Sequence, residues 1–366
     1  MKKVLFLIHD LGQGGAEKVL VNLVNNMDPE QFDITVTALF GGGVNEQFLK
    51  PHIHYRSIFS RTFPGNSHVM KLFTPKRLHK CFVKEHYDIE VSCVEGPSAR
   101  VISGCTDPTT KIVSWIHCTM KSNTDLAVGF RSPAEARACY GRFDRSVFVS
   151  RSVLDAFQKY CPMRHMQVLY NTNESDLILQ KANEEAVLPG DGFRWCGMGK
   201  LVPNKCFDRM LRIQKRLVEE GYAVHFLALG EGELRPMLEK YIRDNSMDDY
   251  ATLLGYQTNP YKYVAKCDLF VCASLSEGFS TAATESLIVG TPVCTVEVSG
   301  MKEMLGENNE WGIVTENDEE ALYQGIKRLL DDPALLAYYK EKAAQRGKTF
   351  STENTVRAVE EMLLSL

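Results

Sequence analysis

Ser276–Val293 reads SEGFSTAATESLIVGTPV and follows directly on Leu269–Ala273, LFVCA, a short continuous apolar run. A run of that length fits a strand buried on both faces. Gly278 lets the backbone pass close to a neighbouring group, Ser280 suits an N-cap, and Thr281–Val289 then reads as a short helix. The first N–H groups of such a helix lack intrahelical partners, so its amino end favours an anion such as a diphosphate. Glu277 would stand before the helix, facing a sugar. Glu285, eight positions on, would sit on the helix with two carboxylate oxygens able to accept from vicinal ribose hydroxyls. Taken alone, two glutamates at this spacing favour the plainer reading of a partner for the helix dipole and a solvent-facing residue. Gly278, Gly290 and Pro292, in order behind a buried strand, favour the ligand-holding reading.

The same alternation extends in both directions. Lys3–Ile8, Phe32–Phe40, Ile89–Cys93, Lys111–Ile116 and Arg145–Val149 read as strands with helical segments between them, beginning with Ala16–Val24. From about Asn171 to Gly192 the period lapses, which predicts a linker. It then resumes with strand Arg194–Met198, helix Cys206–Glu220, strand Ala223–Leu229, helix Glu233–Asn245 and strand Leu269–Ala273. The expected fold is α/β, two doubly wound parallel domains covering 1–172 and 173–351, with a final helix at 352–366 that could close back onto the first domain. Ligands of open α/β sheets sit outside the carboxyl ends of the strands, so two facing domains would aim their loops into an interdomain cleft.

The Ser276–Val293 segment resembles the E-x7-E signature of retaining glycosyltransferases of GT-B fold, and the chain as a whole is similar to glycosyltransferase family 4. Gly14-Gly15-Ala16-Glu17-Lys18-Val19 resembles the glycine loop of that family, and Gly199-Lys200-Leu201 with Lys205 resembles its phosphate segment. Gly255-Tyr256, Asn259-Pro260-Tyr261 and Ala265–Phe270 resemble the stretch before the E-x7-E strand, so the match is most specific from 197 to 303. Three positions depart from the family pattern. Lys200 stands where arginine is common, which keeps the charge but loses the bidentate fork; Cys206 stands where glycine is common, on a less permissive backbone; Ser286 replaces alanine.

The resemblance implies a two-domain GT-B fold and a retaining hexosyltransferase, with the donor held by Lys200, Lys205, Gly255, Tyr256, Glu277, Gly278, Phe279, Ser280 and Glu285. It implies that Gly14 and Gly15 approach the donor diphosphate and the acceptor, and that His117 contacts the transferred sugar. Physical chemistry supports the lysines independently, because two cations can stabilise a departing diphosphate. Each lysine alone would read as solvated surface charge. Gly12-x-Gly14-Gly15 lacks the full dinucleotide-binding pattern and also fits a tight strand-to-helix turn. His117 closes a strand, where a lone histidine is commonly structural; His9 and Asp10 close another and are weaker acceptor-side candidates. No Asp-x-Asp element occurs, so transfer is expected to be metal-independent and to need no cofactor.

At 366 residues with 44% hydrophobic and 24% charged side chains, the composition fits two globular domains. No apolar stretch approaches the roughly 20 residues needed to span a bilayer. The run after Met1 ends at His9-Asp10 without a small-residue cleavage site, so a mature N-terminus at Met1 and a cytoplasmic location are expected. Eleven scattered cysteines, never in C-x-x-C spacing, point to reduced thiols, with Cys206 kept open because of its place beside the phosphate segment. Residues 1–170 carry 21 Lys and Arg against 15 Asp and Glu, and the rest carry 21 against 31. A basic N-terminal half suits either an anionic partner or an ordinary solvated surface. Within it, residues 56–84 interleave Arg56, Arg61, Lys71, Lys76, Arg77, Lys80 and Lys84 with Phe59, Phe63, Leu72, Phe73, Leu78 and Phe82, as an anionic membrane surface would require or as a surface helix would show.

The partners expected are a nucleotide-diphosphate-sugar, UDP before GDP, and a glycan or lipid-linked acceptor in surface polysaccharide synthesis, with no nucleic acid. A non-catalytic subunit binding nucleotide-sugar or glycan, and an epimerase of the same fold, are the alternatives.

Overall fold

The computed structural model describes residues 1–12, 14–63 and 65–366, without the side chains of Ser67 and His68. Gln13, inside the first glycine loop, lies outside the described residues. The chain divides into two compact units, Met1–Asn173 with Thr352–Leu366, and Glu174–Ser351.

Among the described residues the first unit holds seven strands: β1 Lys2–Ile8, β2 Phe32–Phe40, β3 His54–Phe59, β4 Ile89–Cys93, β5 Lys111–Ile116, β6 Arg145–Phe148 and β7 Met166–Val168. They lie in the order β3-β2-β1-β4-β5-β6-β7, with all pairings parallel. The second unit holds β8 Phe193–Met198, β9 Val224–Leu229, β10 Ala251–Gly255, β11 Leu269–Cys272, β12 Val293–Val296 and β13 Ile313–Thr315. Their order, β10-β9-β8-β11-β12-β13, is likewise parallel throughout. Each sheet is thus doubly wound, running outward both ways from a central pair, β1/β4 in one and β8/β11 in the other. Burial explains the apolar runs: Val4, Leu5, Phe6 and Leu7 of β1 are wholly buried, as are Phe226, Leu227 and Ala228 of β9.

One polar cluster fixes the second sheet to its helix. Gln214, on helix Phe207–Glu219, accepts from Trp195 Nε1 at 2.6 Å and donates to the carbonyls of Val224 and Tyr250 at 2.9 and 2.8 Å. Both side chains are fully buried, so each hydrogen bond removes a desolvation penalty of about 1–3 kcal/mol that an apolar residue at 214 would expose. The last helix, Thr352–Leu364, packs on Gly15–Asn26 within the first unit. Thr352 Oγ1 donates to the Asn173 carbonyl at 2.7 Å and the Glu360 carboxylate accepts from Asp28 N at 2.7 Å.

Two expectations from the sequence need correction. The aperiodic 171–192 stretch is no plain linker, since Ser175–Ala182 is a helix whose Ile178 is buried. Asn259 Nδ2 ties its Lys181 carbonyl at 2.9 Å, and because Leu177 and Leu179 remain exposed no helical period shows. Nor is 56–84 the surface helix of its alternative reading. It comprises the edge strand β3 and helices Asn66–Lys71 and Pro75–Phe82. Arg56 is spent internally, on Thr37, Glu85 and Tyr87, and Phe59, Phe63 and Phe82 form an aromatic cluster with Phe40, whereas Leu72 is 76% exposed. No helix among the described residues is long and apolar enough to cross a membrane.

Candidate functional site

In the second unit the loops after β8 and β11 meet at the point where the strand order reverses, the place where open α/β sheets hold ligands. After β8 the chain makes a single 3-10 turn, Pro203–Lys205, and Cys206 then takes a left-handed conformation with φ +51°. That conformation explains why glycine suits this position, and Cys206 carries it at a cost of about 1–2 kcal/mol. Its thiol is buried, donates to the Pro203 carbonyl at 3.4 Å, and is pushed above its ordinary pKa by that burial, so Cys206 is an inert packing group. The turn is sewn to the loop after β11: Leu275 N donates to the Asn204 carbonyl at 2.8 Å and Asn204 Nδ2 to the Ser276 carbonyl at 2.9 Å.

This stitching brings Lys205 Nζ to 2.5 Å from Glu277 Oε1, with the carboxylate side chain only 11% exposed. Lys205, Glu277 and Ser280 line one small depression with Met198, Cys272 and Ser274. Helix Thr281–Ile288 begins just beyond, and the Ser280 hydroxyl caps it by accepting from Ala283 N at 3.3 Å. Phe279 is buried with its ring 5.7 Å from that of Phe350. A Cβ on Gly300, at φ +81°, would lie 2.9 Å from the Gly278 carbonyl oxygen, so the loop carrying Glu277 rests directly on another turn. Helix Pro333–Gly347 also approaches closely: a Cβ on Gly347 would fall 2.4 Å from the Leu287 carbonyl oxygen.

Glu285 is buried, which removes the solvent-facing alternative, and its Oε1 accepts from Tyr261 Oη at 3.0 Å. Lys200 is exposed, and the geometry gives the carboxylate partner to Lys205 rather than to Lys200, so the two do not form an equivalent pair. Gly255 ends β10 at φ +73°, where the ladder shifts register, and the following Tyr256 is 72% exposed.

The first unit repeats the arrangement at β1/β4. After β1, His9 Nδ1 lies 2.6 Å from Asp10 Oδ2, Asp10 Oδ1 accepts from Gly12 N at 2.8 Å, and Gly14 opens helix Gly15–Asn26 without a side-chain cap. His117, directly after β5, donates its backbone N–H to Glu95 Oε2 at 3.0 Å and has its ring 6.2 Å from that of Trp115. Glu95 follows β4 in Val94-Glu95-Gly96, where Val94 and Gly96 both have positive φ. Sequence reasoning missed Glu95 and Asn204; an acidic residue just past a buried strand and before Gly-Pro was the available signal for the first, and nothing marked the second.

Burial pushes His117 down to about 4 against the opposing pull of Glu95, leaving the imidazole neutral near pH 7. A histidine that must stay neutral when folded binds fewer protons than the unfolded chain between about pH 6.5 and 4. Stability therefore declines as pH falls through that window, and its contribution is fully present above it. Replacing His117 with Gln is expected to flatten that part of the profile, measured as the wild-type minus variant difference in denaturation midpoint at pH 7, 5.5 and 4.5; an unchanged difference would contradict it.

Residues 13–172 match the model of "Glycosyltransferase Family 4" and residues 180–346 that of "Glycosyl transferases group 1". Over the full length of both chains, the protein is 29% identical to the N-acetylgalactosamine-N,N'-diacetylbacillosaminyl-diphospho-undecaprenol 4-alpha-N-acetylgalactosaminyltransferase of Campylobacter jejuni. It is 28% identical to the lipopolysaccharide core biosynthesis glycosyltransferase LpsD of Rhizobium meliloti, over 56% of this chain and 57% of that one. Among solved structures, HepE from Anabaena in complex with UDP superposes with TM-score 0.77 at 19% identity, covering all of both chains.

Proposed function

From a chain that is a glycosyltransferase of GT-B fold related to family 4, we propose a UDP-sugar-dependent hexosyltransferase that acts with retention of configuration on a lipid-linked or growing surface glycan. The observation that carries this reading is the Lys205–Glu277 pair, held beside the amino end of helix Thr281–Ile288 at the strand-order reversal. A diphosphate there would meet one ammonium, the exposed Lys200 nearby in sequence, and the positive end of a helix dipole.

In this reading Glu277 positions the sugar, Glu285 the ribose, and Lys205 with Lys200 the leaving diphosphate. Gly278, Phe279 and Ser280 offer their backbone to the phosphates, and Gly255 with Tyr256 flank the base. Gly14, Gly15 and His117 belong to the first unit, Met1–Asn173 with Thr352–Leu366, which takes the acceptor side, and Glu174–Ser351 takes the donor side. Transfer needs no metal, because the cations on the leaving group are lysines. The C. jejuni relative is named for a diphospho-undecaprenol acceptor and an alpha linkage, and HepE was solved with UDP; both favour these choices of acceptor and donor. Exposed Val69 and Leu72, among the basic residues of 56–84, suit attachment at an anionic inner-membrane surface.

The test is nucleotide release from a panel of UDP- and GDP-sugars without added metal, followed by the anomeric configuration of the product. Release from one sugar with the donor's configuration kept is expected. An inverted product would remove the retaining assignment, and release only from GDP-sugars would remove the donor assignment.

A further inference from the structure

Away from these loops, the first unit brings three metal-ligating side chains of different chemistry to one point. His79 lies on helix Pro75–Phe82, Glu90 on the central strand β4, and Cys105 just after helix Pro97–Ile102. His79 Nε2 is 2.7 Å from Glu90 Oε2, and the three ligand atoms all lie within 4.8 Å of one another. The side chains of His79 and Glu90 are 14% and 3% exposed and Cys105 is 4% exposed. With 9 histidines, 11 cysteines and 46 acidic residues in the chain, this is the one such convergence among the described residues.

We propose that His79, Glu90 and Cys105 form a binding site for a divalent cation of zinc type. One thiolate, one imidazole and one carboxylate are the donor set that a borderline-soft cation selects over magnesium or calcium. The charges also balance, since a thiolate and a carboxylate neutralise a dication inside a buried pocket. Legs of about 2.0–2.3 Å at tetrahedral angles place ligand atoms roughly 3.3–3.7 Å apart. The His79–Glu90 contact must therefore open by under about 1 Å, with Cys105 already within 4.8 Å of both atoms, a change within reach of side-chain rotation.

The backbone beneath is pinned for such a role. A Cβ on Gly104 would fall 2.1 Å from the Pro75 carbonyl oxygen, so the Cys105 loop lies directly against the helix that carries His79. Arg142 holds the same loop by donating to the carbonyls of Ser103 and Cys105. A water would complete the coordination on the His79 side, the more exposed one. The cation would then clamp helix Pro75–Phe82 to the sheet and take no part in sugar transfer.

The test is titration of the chelator-treated full chain with Co2+, read by absorption, and then with Zn2+. One equivalent of Co2+ is expected to give a thiolate-to-cobalt charge-transfer band that Zn2+ abolishes. Cys105→Ser, which exchanges a single atom, is expected to lose the band, and His79→Asn to weaken Zn2+ binding by at least about tenfold; either folded variant suffices to decide. Absence of the band in the wild type, or a band of full strength in Cys105→Ser, would overturn the site.

Discussion

Lys205→Met is expected to lower kcat for sugar transfer by about a hundred- to a thousandfold, the usual effect of deleting one preorganised group that stabilises developing charge. Methionine keeps the length and apolar stem of lysine and removes only the ammonium. As the sugar departs, the diphosphate gains negative charge, and the cation closest to that charge acts chiefly in the transition state, so kcat should fall more than KM rises. The loss of ion pairing to the 11% exposed Glu277 will also destabilise the loop, which a structural role alone would produce as well. Two readouts separate these causes. UDP affinity should weaken in Lys205→Met while uridine affinity, without phosphates to lose, stays as it was; and Lys205→Arg, which keeps the charge but not the ammonium geometry, should recover part of kcat. Equal weakening of UDP and uridine would mean that Lys205 serves only to hold the loop.

The second large effect concerns stability. Arg100, with a side chain 1% exposed, spends its guanidinium on Glu135, through Nε at 3.2 Å and Nη2 at 2.9 Å, and on the carbonyls of Met70 and Phe73 at 2.9 and 2.7 Å. Removing one partner of a buried pair leaves the other charge uncompensated, and here two carbonyls as well. Arg100→Met is expected to cost about 3–5 kcal/mol in the first unit. The double variant Arg100→Met with Glu135→Leu should recover much of the loss, because the orphaned carboxylate is gone. Burial raises Glu135, but its hydrogen bond to Arg100 and the Arg131 N–H outweigh that and hold it below its usual value. A carboxylate so depressed stabilises the fold above its unfolded pKa and loses that contribution as pH falls through the folded one, so the Arg100→Met deficit should shrink in acid. Denaturant titration of the three proteins at pH 7 and pH 3 measures this; a deficit below about 1 kcal/mol at pH 7 would show that the guanidinium is replaceable.

Strands buried on both faces announce themselves as unbroken apolar runs, so β1, β2, β4, β5 and β11 could be read from the sequence almost to the residue. Edge strands could not. β3 is half exposed and carries Arg56, and β7 has only three residues, so neither shows a period strong enough to separate it from a loop. The Ser280 cap and the short helix behind it were legible because capping chemistry is local. By contrast, the 2.5 Å contact between Lys205 and Glu277 depends on hydrogen bonds that the backbone and side chain of Asn204 make with residues about 70 positions away, and no local pattern records that. The same holds for Tyr261 behind Glu285, and for His79, Glu90 and Cys105, whose spacing matches no metal motif. Cys206 is instructive in another way: the sequence shows a side chain where glycine is usual, and only the φ of +51° shows what the glycine would have supplied.

The most direct measurement is a crystal structure of the full chain with UDP bound. Phosphate oxygens are expected within hydrogen-bond distance of Lys205 Nζ and of backbone N–H groups between Gly278 and Thr281, with the ribose hydroxyls on Glu285. UDP bound elsewhere, or bound with Lys205 turned away from its phosphates, would contradict the assignment of this helix start as the seat of the leaving group.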